Sequence, residues 1–377
     1  MARLLTGLSL GYFLVMLDTT IVTVALPALS PSLPAQQWIS NGYTLTFAVF
    51  LLPAGVWADR FGARRVFFTG LVSFAALSAL SALSFSTSLL IALRVLLGVA
   101  GALLVPSSLS LIAAAWPAPA TRAKAMGVWA AVSGTGLVAG PLLGGVLTEA
   151  FGWRAIFVVN VPVALVALVL SRPAPPTPPR SGRMLPARLF RVRAFPLGLA
   201  AGAIVNFALS GVLFVLSLYF QETRGYPPSA AGLAFLPLTV PTAFNPILTG
   251  RLVARFGPRI PAISGFVLMS GGTLVQACST SVALSVVALA LLGFGVSLAI
   301  PSLLTAVVAA APADLTGVAG GALNAVRQAG AALGVAVLGA VQAGATTSIA
   351  LVTASGLLLV GAAAAAAIPA AEKQPVR

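Results

Sequence analysis

Runs of about 20 apolar residues recur from one end of the chain to the other, broken by short segments that carry Gly, Pro and Arg. Each run can cross roughly 30 Å of hydrocarbon as a helix rising about 1.5 Å per residue. Barrel strands would instead alternate apolar and polar residues in segments of about ten. That alternation is absent, and helices satisfy their own backbone groups where no water reaches. The pattern predicts twelve spans, near 5–26, 38–57, 66–85, 89–114, 125–148, 155–171, 196–220, 230–250, 260–280, 282–308, 316–341 and 346–368. The expected fold class is therefore an all-α polytopic membrane protein.

Composition supports this reading, since 59% of the 377 residues are hydrophobic and 7% are charged. A formal charge of +15 would suggest nucleic acid for a soluble chain, but here the basic residues sort by connection. Alternate connections hold Arg3; Arg60, Arg64, Arg65; Arg122, Lys124; Arg172, Arg180, Arg183, Arg188, Arg191, Arg193; Arg251, Arg255, Arg259; and Lys373, Arg377. The opposite connections hold Arg154 and Arg224. By the positive-inside rule both termini and the central loop are expected to be cytoplasmic, in a multi-pass protein of the cell membrane. The first apolar run is too long for a signal peptide, has no evident cleavage site, and is expected to be retained. A lone Cys278 and the lack of His argue against a disulfide or a Cys/His metal site, so no metal and no cofactor are expected. Proton chemistry would have to use carboxylates.

The Pro- and Arg-rich segment Arg172–Arg188 cannot form a continuous helix and divides the spans six and six. It predicts a six-helix bundle over 1–171, a cytoplasmic linker over 172–195 and a second six-helix bundle over 196–377. At an offset of 195 residues, Gly55, Arg60, Phe61, Gly62 and Arg64 match Gly250, Arg255, Phe256, Gly257 and Arg259. Gly98, Pro106 and Ser107 match Gly293, Pro301 and Ser302 at the same offset. A constant offset across two hairpins indicates duplication, and the shared side of the membrane makes the repeats parallel.

Parallel six-span repeats with a substrate site between them near the midplane are the arrangement of major facilitator transporters. The motifs resemble the drug:proton antiporter branch of that superfamily, which usually has fourteen spans. "LDTTIVTVALP" from Leu17 is similar to its first-helix signature, with Thr23 where Asn is common, and "QWISNGYTLTFA" from Gln37 to its second-helix entry. "GVWADRFGARR" from Gly55 resembles motif A, "GTGLVAGPLLGG" from Gly134 the fifth-helix antiporter motif, and "GWRAIFVVNVP" from Gly152 the start of the sixth helix. "LPARLFRVRAF" from Leu185 is similar to the entry of the second half. The two additional central helices of that branch are missing, and Leu97 stands where motif B usually has Gln.

Asp18 is the one carboxylate placed deep in a span, where a charge costs roughly 2.5–3.5 kcal/mol. Arg94, about six residues into the fourth span, is its candidate partner. Burial disfavours a charged carboxyl and a neighbouring Arg favours it, so a partner that changes with conformation would load and release a proton. The alternative is a fixed pair that joins helices. In motif A, Asp59 can accept from helix N-terminal amides while Arg60, Arg64 and Arg65 bind acidic groups or lipid phosphate. The resemblance implies a cytoplasmic latch, built with Gly55 and Gly62, that contacts the opposite half and locks the outward-facing state. Ala254 replaces the acid in the second copy, and the plainer reading is a short turn with positive-inside charge. Gly136, Gly140 and Gly144 share one helix face beside Pro141, which is expected to bend the helix, and Gly145. Their spacing reads as tight packing, and the resemblance adds a gate or leak seal. Pro237, Pro241 and Pro246 predict a bent eighth helix. Asn324, Arg327 and Gln328 in the eleventh span either bind substrate or pack the halves together. Glu149, Glu222, Asp314 and Glu372 read as solvated end residues.

These features predict a non-enzymatic secondary transporter that exchanges inward protons for an outward lipophilic small molecule by alternating access. Lipid, protons and a small-molecule substrate are its expected partners, with neither nucleic acid nor ATP; no "GxxxxGK[ST]" loop is present. Two intramembrane Arg residues against one Asp disfavour a dication and leave room for anionic or zwitterionic compounds. The competing readings are a proton-independent facilitator or importer, and a membrane sensor that binds without moving its ligand.

Overall fold

In a computed structural model the chain is described over residues 1–177, 187–312 and 315–369. The expectations for Arg180, Arg183, Asp314, Glu372, Lys373 and Arg377, and for the middle of the linker, lie outside those residues. The described chain is all-helical and makes twelve passes. Five of the first six are α1 (Ala2–Leu29), α2 (Leu33–Phe61), α3 (Ala63–Ala82), α4 (Thr87–Ala115) and α5 (Pro119–Phe151). The sixth pass consists of α6 (Ala155–Val158) and α7 (Asn160–Leu170), separated at Val159. After the linker come α8 (Ala194–Leu218), which ends in a π turn over Tyr219–Thr223, and an eighth pass in three pieces, α9 (Pro228–Ala234), α10 (Leu236–Phe244) and α11 (Pro246–Phe256). The last passes are α12 (Arg259–Cys278), α13 (Val282–Ala309), α14 (Thr316–Gly344) and α15 (Thr347–Ala366). Ten of these helices are, among the described residues, individually long and apolar enough to cross a bilayer.

The breaks have local causes. Pro228 and Pro246 are the first residues of α9 and α11 and Pro237 the second of α10, positions in the first turn of a new helix where a residue without an N–H fits. The expected bend is therefore two interruptions, at Phe235 and Asn245. Pro141, in contrast, sits inside an unbroken α5. Ser86 caps α4 and Thr346 caps α15, each hydroxyl accepting from the amide three residues on at 3.2 Å. Gly62 and Gly257, offset by 195 residues, both end helices at positive φ, 90° and 75°. That conformation suits glycine, and it turns the chain into α3 and α12 within one or two residues.

Other matches at the same offset meet matching neighbours. A side chain on Gly98 would overlap the carbonyl of Tyr43, and one on Gly293 the carbonyl of Leu238, itself 195 residues from Tyr43. Gly70 and Gly265 likewise face the carbonyls of Ala100 and Gly295. Close backbone approach through small residues holds both sets of helices together, as it does in membrane bundles generally.

The six passes before the linker meet the six after it along two seams. In one, α2 packs on α14; in the other, α5 packs on α9 and α10. Among the described residues, the hydrogen bonds between the two sets of passes gather at the end of the bundle away from the Arg-rich connections. Gln37 Nε2 donates to the carbonyls of Val335 and Ala336 at 3.4 and 3.2 Å. Ser217 Oγ donates to the Thr23 carbonyl at 2.8 Å, and Gln221 Nε2 to that of Val24 at 2.9 Å. The amide of Ser229, in the first turn of α9, donates to Glu149 Oε2 at 3.0 Å. Glu149 is exposed, as expected of an end residue, yet its carboxylate also ties α5 to α9.

Candidate functional site

Asp18 lies on α1 just past the helix midpoint and is fully buried, as is Arg94 on α4. Arg94 Nη1 pairs with Asp18 Oδ2. The other carboxylate oxygen, Oδ1, accepts a hydrogen bond of 3.0 Å from Nδ2 of Asn160. Asn160 is the first residue of α7, so the break at Val159 sets where its amide enters the bundle. Arg94 Nε donates to the Ile39 carbonyl at 3.0 Å, and its guanidinium lies 4.4 Å from the centre of the Tyr43 ring. Tyr43 Oη donates in turn to the Val15 carbonyl on α1 at 3.4 Å. Four passes thus meet around one carboxylate. Among the described residues, both hydrogen bonds to that carboxylate come from nitrogen donors. Oδ1 of Asn160 has no partner among the described residues.

The pairing of Asp18 with Arg94 was legible in the sequence, whereas Asn160 was not singled out. An isolated amide hardly changes the hydropathy of an apolar run; its signal was that it is the lone polar side chain between Arg154 and Ser171. Leu97 is fully buried in the apolar cluster with Tyr43 and Phe47 and brings no polar group to the pair. At the offset of 195 residues, Asp18 and Arg94 correspond to Leu213 and Leu289, both buried. The ionised centre belongs to the first six passes alone.

On another face of α1 lies α5. Side chains on Gly136, Gly140 or Gly144 would collide with Phe13 and Leu17, with Thr20 and with Ile21, so the glycine face fits against α1 on both sides of Asp18. The neighbouring face of α5 meets the other half of the molecule. Gly145 fits against the Pro228 carbonyl, and Gly232 of α9 fits against the carbonyl of Pro141. Helix α5 is wedged between the helix that carries the buried acid and the second set of passes. Gly134, two residues before Gly136 and therefore on another face of the helix, faces open space.

Motif A sits at the Arg-rich end. Gly55 packs toward Pro106 of α4, and Asp59 lies half-buried in the last turn of α2. Arg60, Arg64 and Arg65 are exposed, with Arg60 over the Phe61 ring and Arg64 over the Phe68 ring. The start of the linker covers the turn. Thr177 Oγ1 accepts from the Ala63 amide at 2.7 Å, the Thr177 carbonyl lies against Gly62, and Arg64 donates to the Arg172 carbonyl at 3.2 Å.

A second polar centre lies on α14. Arg327 Nε donates to Oδ1 of Asn206 on α8, and its Nη1 to Oδ1 of Asn324, both at 3.0 Å. Asn324 and Arg327 were expected together from their spacing; Asn206, another lone amide in an apolar run, was not. Gln328 is half-buried and makes no side-chain hydrogen bond among the described residues. In the first half, at a similar depth, Tyr12 of α1 stacks on Trp129 of α5 with ring centres 4.5 Å apart. No group of three or more metal-ligating side chains occurs among the described residues.

This architecture has close counterparts among known proteins. The chain is 32% identical to the tetracenomycin C resistance and export protein of Streptomyces glaucescens, over 90% of this chain and 75% of that one. It is also 32% identical to the multidrug resistance protein Stp of Mycobacterium tuberculosis, with the same coverage, and to the methylenomycin A resistance protein of Bacillus subtilis, over 89% of this chain and 86% of that one. The first alignment runs over 406 residues although 90% of this chain is far fewer. Roughly 65 positions of the relative therefore face gaps, about the length of two spans with their connections. Among solved structures, a bacterial homologue of the human lysosomal transporter Spinster, inward-facing and occupied, superposes with a TM-score of 0.78 at 20% identity, over 97% of this chain and 96% of that one. The family model described as Major Facilitator Superfamily matches residues 8–335. This chain belongs to the major facilitator superfamily and shares its branch with drug-resistance efflux proteins.

Proposed function

We propose that the protein exports lipophilic small molecules across the cell membrane in exchange for protons, with both termini and the Arg-rich connections on the cytoplasmic side. Its two six-span halves rock about a central site, and neither ATP nor a cofactor takes part. The resistance and export roles of its relatives support outward transport, and the charge asymmetry between connections supports the orientation. The observation that carries the coupling is the buried carboxylate of Asp18, ringed by donors on a helix that α5 ties to the other half.

In this orientation, hydrogen bonds between the halves at the low-charge end support an inward-facing reading of the molecule. Asp18 has delivered its proton and Arg94 and Asn160 hold the carboxylate. When the halves rock, α9 and α10 move against α5, and α5 passes the strain to α1, which changes the geometry around Asp18. A proton taken up at Oδ1 converts the carboxylate to an acid, which no longer matches the amide hydrogens of Asn160. A half-turn of the Asn160 amide then presents its unpartnered Oδ1 to the new O–H, while Arg94 keeps the Ile39 carbonyl and the Tyr43 ring. An amide is suited to this task because it donates from one side and accepts on the other. Motif A, covered here by the linker, is released in this state and engages the opposite half when the cytoplasmic side closes.

Inverted vesicles that contain the protein test the proposal. With an imposed pH gradient, addition of a transported compound from a panel of cations, anions and neutral lipophiles collapses the gradient. A panel without any such response would refute proton-coupled export.

A further inference from the structure

From the aromatic pair and the cation that stand at one depth in the middle of the bundle, one in each half, we infer that the central site takes a planar aromatic anion. The inference rests on the export reading above and names its substrate class. Tyr12, Trp129, Asn206 and Arg327 each lie about 15–18 Å from the Arg-rich end of their helices, close to the bilayer midplane. Trp129 and Asn324 are 195 residues apart and occupy corresponding places in the two repeats.

The aromatic side of the site is rigid. Trp129 Nε1 donates to Ser108 Oγ at 3.2 Å, which fixes the indole, and the Tyr12 ring lies within 17° of parallel to it. Tyr12 remains half-buried, leaving part of its ring to stack on a flat ligand. The cationic side is equally set. The Arg327 stem crosses α8 where Gly202 leaves room for it, and its two hydrogen bonds go to the neutral amide oxygens of Asn206 and Asn324. No carboxylate among the described residues pairs with Arg327, so its full charge and remaining N–H donors stay available to an anion. Asp18 offers a cationic substrate nothing here, because it is buried and committed to Arg94 and Asn160.

The test uses three naphthalenes that differ in charge, 1-naphthoate, 1-naphthamide and 1-naphthylmethylammonium, titrated calorimetrically into the full chain in nanodiscs without any gradient. Naphthoate is expected to bind at least tenfold tighter than naphthamide, and the ammonium weakest. Arg327→Gln brings naphthoate to the level of naphthamide, Arg327→Lys keeps a preference for the anion, and Tyr12→Ala weakens naphthoate and naphthamide by a similar factor of about three to ten. Equal or tighter binding of the ammonium by the unaltered protein overturns the inference without any variant, as does an unchanged naphthoate-to-naphthamide ratio in folded Arg327→Gln. Because binding is read without a proton gradient, loss of proton coupling would leave this result intact, and loss of the anion preference would leave the coupling reading intact.

Discussion

At the scale of residues, the centre around Asp18 is a charge that has been matched on every side it shows. Removing either partner of such a buried pair leaves the other uncompensated, at a cost of about 3–5 kcal/mol in proteins where it has been measured. Arg94→Ala is accordingly expected to abolish folding or lower the melting temperature steeply in detergent. Arg94→Lys is milder but still disruptive, because one ammonium cannot serve the Ile39 carbonyl and the Asp18 carboxylate with the forked geometry of a guanidinium. Asn160 separates coupling from folding. Asn160→Leu keeps the Asp18–Arg94 pair but removes the amide that follows the proton. Gradient-driven uptake into inverted vesicles should fall about tenfold, while melting in detergent moves by the loss of one hydrogen bond to a charged group, about 1.5–3 kcal/mol. Asn160→Asp places a like charge beside Asp18 and is expected to shift the pH profile of transport, since two neighbouring carboxyls resist ionising together. Uptake with an unaltered pH profile in both variants would remove Asn160 from the mechanism.

At the scale of elements, α5 joins the helix that carries Asp18 to the second set of passes. Its glycines let α1 approach within backbone contact, and its next face carries Gly145 and Pro141 against α9. Gly140→Val or Gly144→Val drives a branched side chain into Thr20 or Ile21 and should reduce transport at least tenfold. Gly134→Ala, in open space, should leave it unchanged. Comparable uptake by all three variants would show that the α1–α5 contact is not needed. Part of this was legible in the sequence and part was not. The number of passes could be read because lipid demands an apolar run for each one, and the glycine face because its spacing follows the helix turn. The interruptions at Phe235 and Asn245 were harder to place, because prolines in membrane helices are tolerated wherever neighbours satisfy the freed backbone groups. Pro141 illustrates the ambiguity, since it lies within a continuous helix. Asn160 and Asn206 stayed hidden for a different reason: only the packing of α7 on α1, and of α8 on α14, brings each amide to its charged partner.

At the scale of the whole molecule, the hydrogen bonds between the halves at the low-charge end are, in the orientation proposed above, the closed gate of an inward-facing state. Gln37 and Ala336 mark one seam of that gate. Cysteines at both positions, joined by a short bifunctional thiol reagent, are expected to hold the gate shut and stop turnover, and a cleavable linker should restore transport on reduction. Continued transport in the joined protein would mean that this seam does not open. The central claim is that Asp18 carries the proton that drives export. It is tested most directly by comparing substrate-driven proton movement in proteoliposomes for the unaltered protein and Asp18→Asn, which keeps the shape of the side chain without its titratable group. The account predicts that Asp18→Asn still binds substrate but moves no protons with it and no longer accumulates it against a gradient; proton movement at the unaltered rate would contradict it.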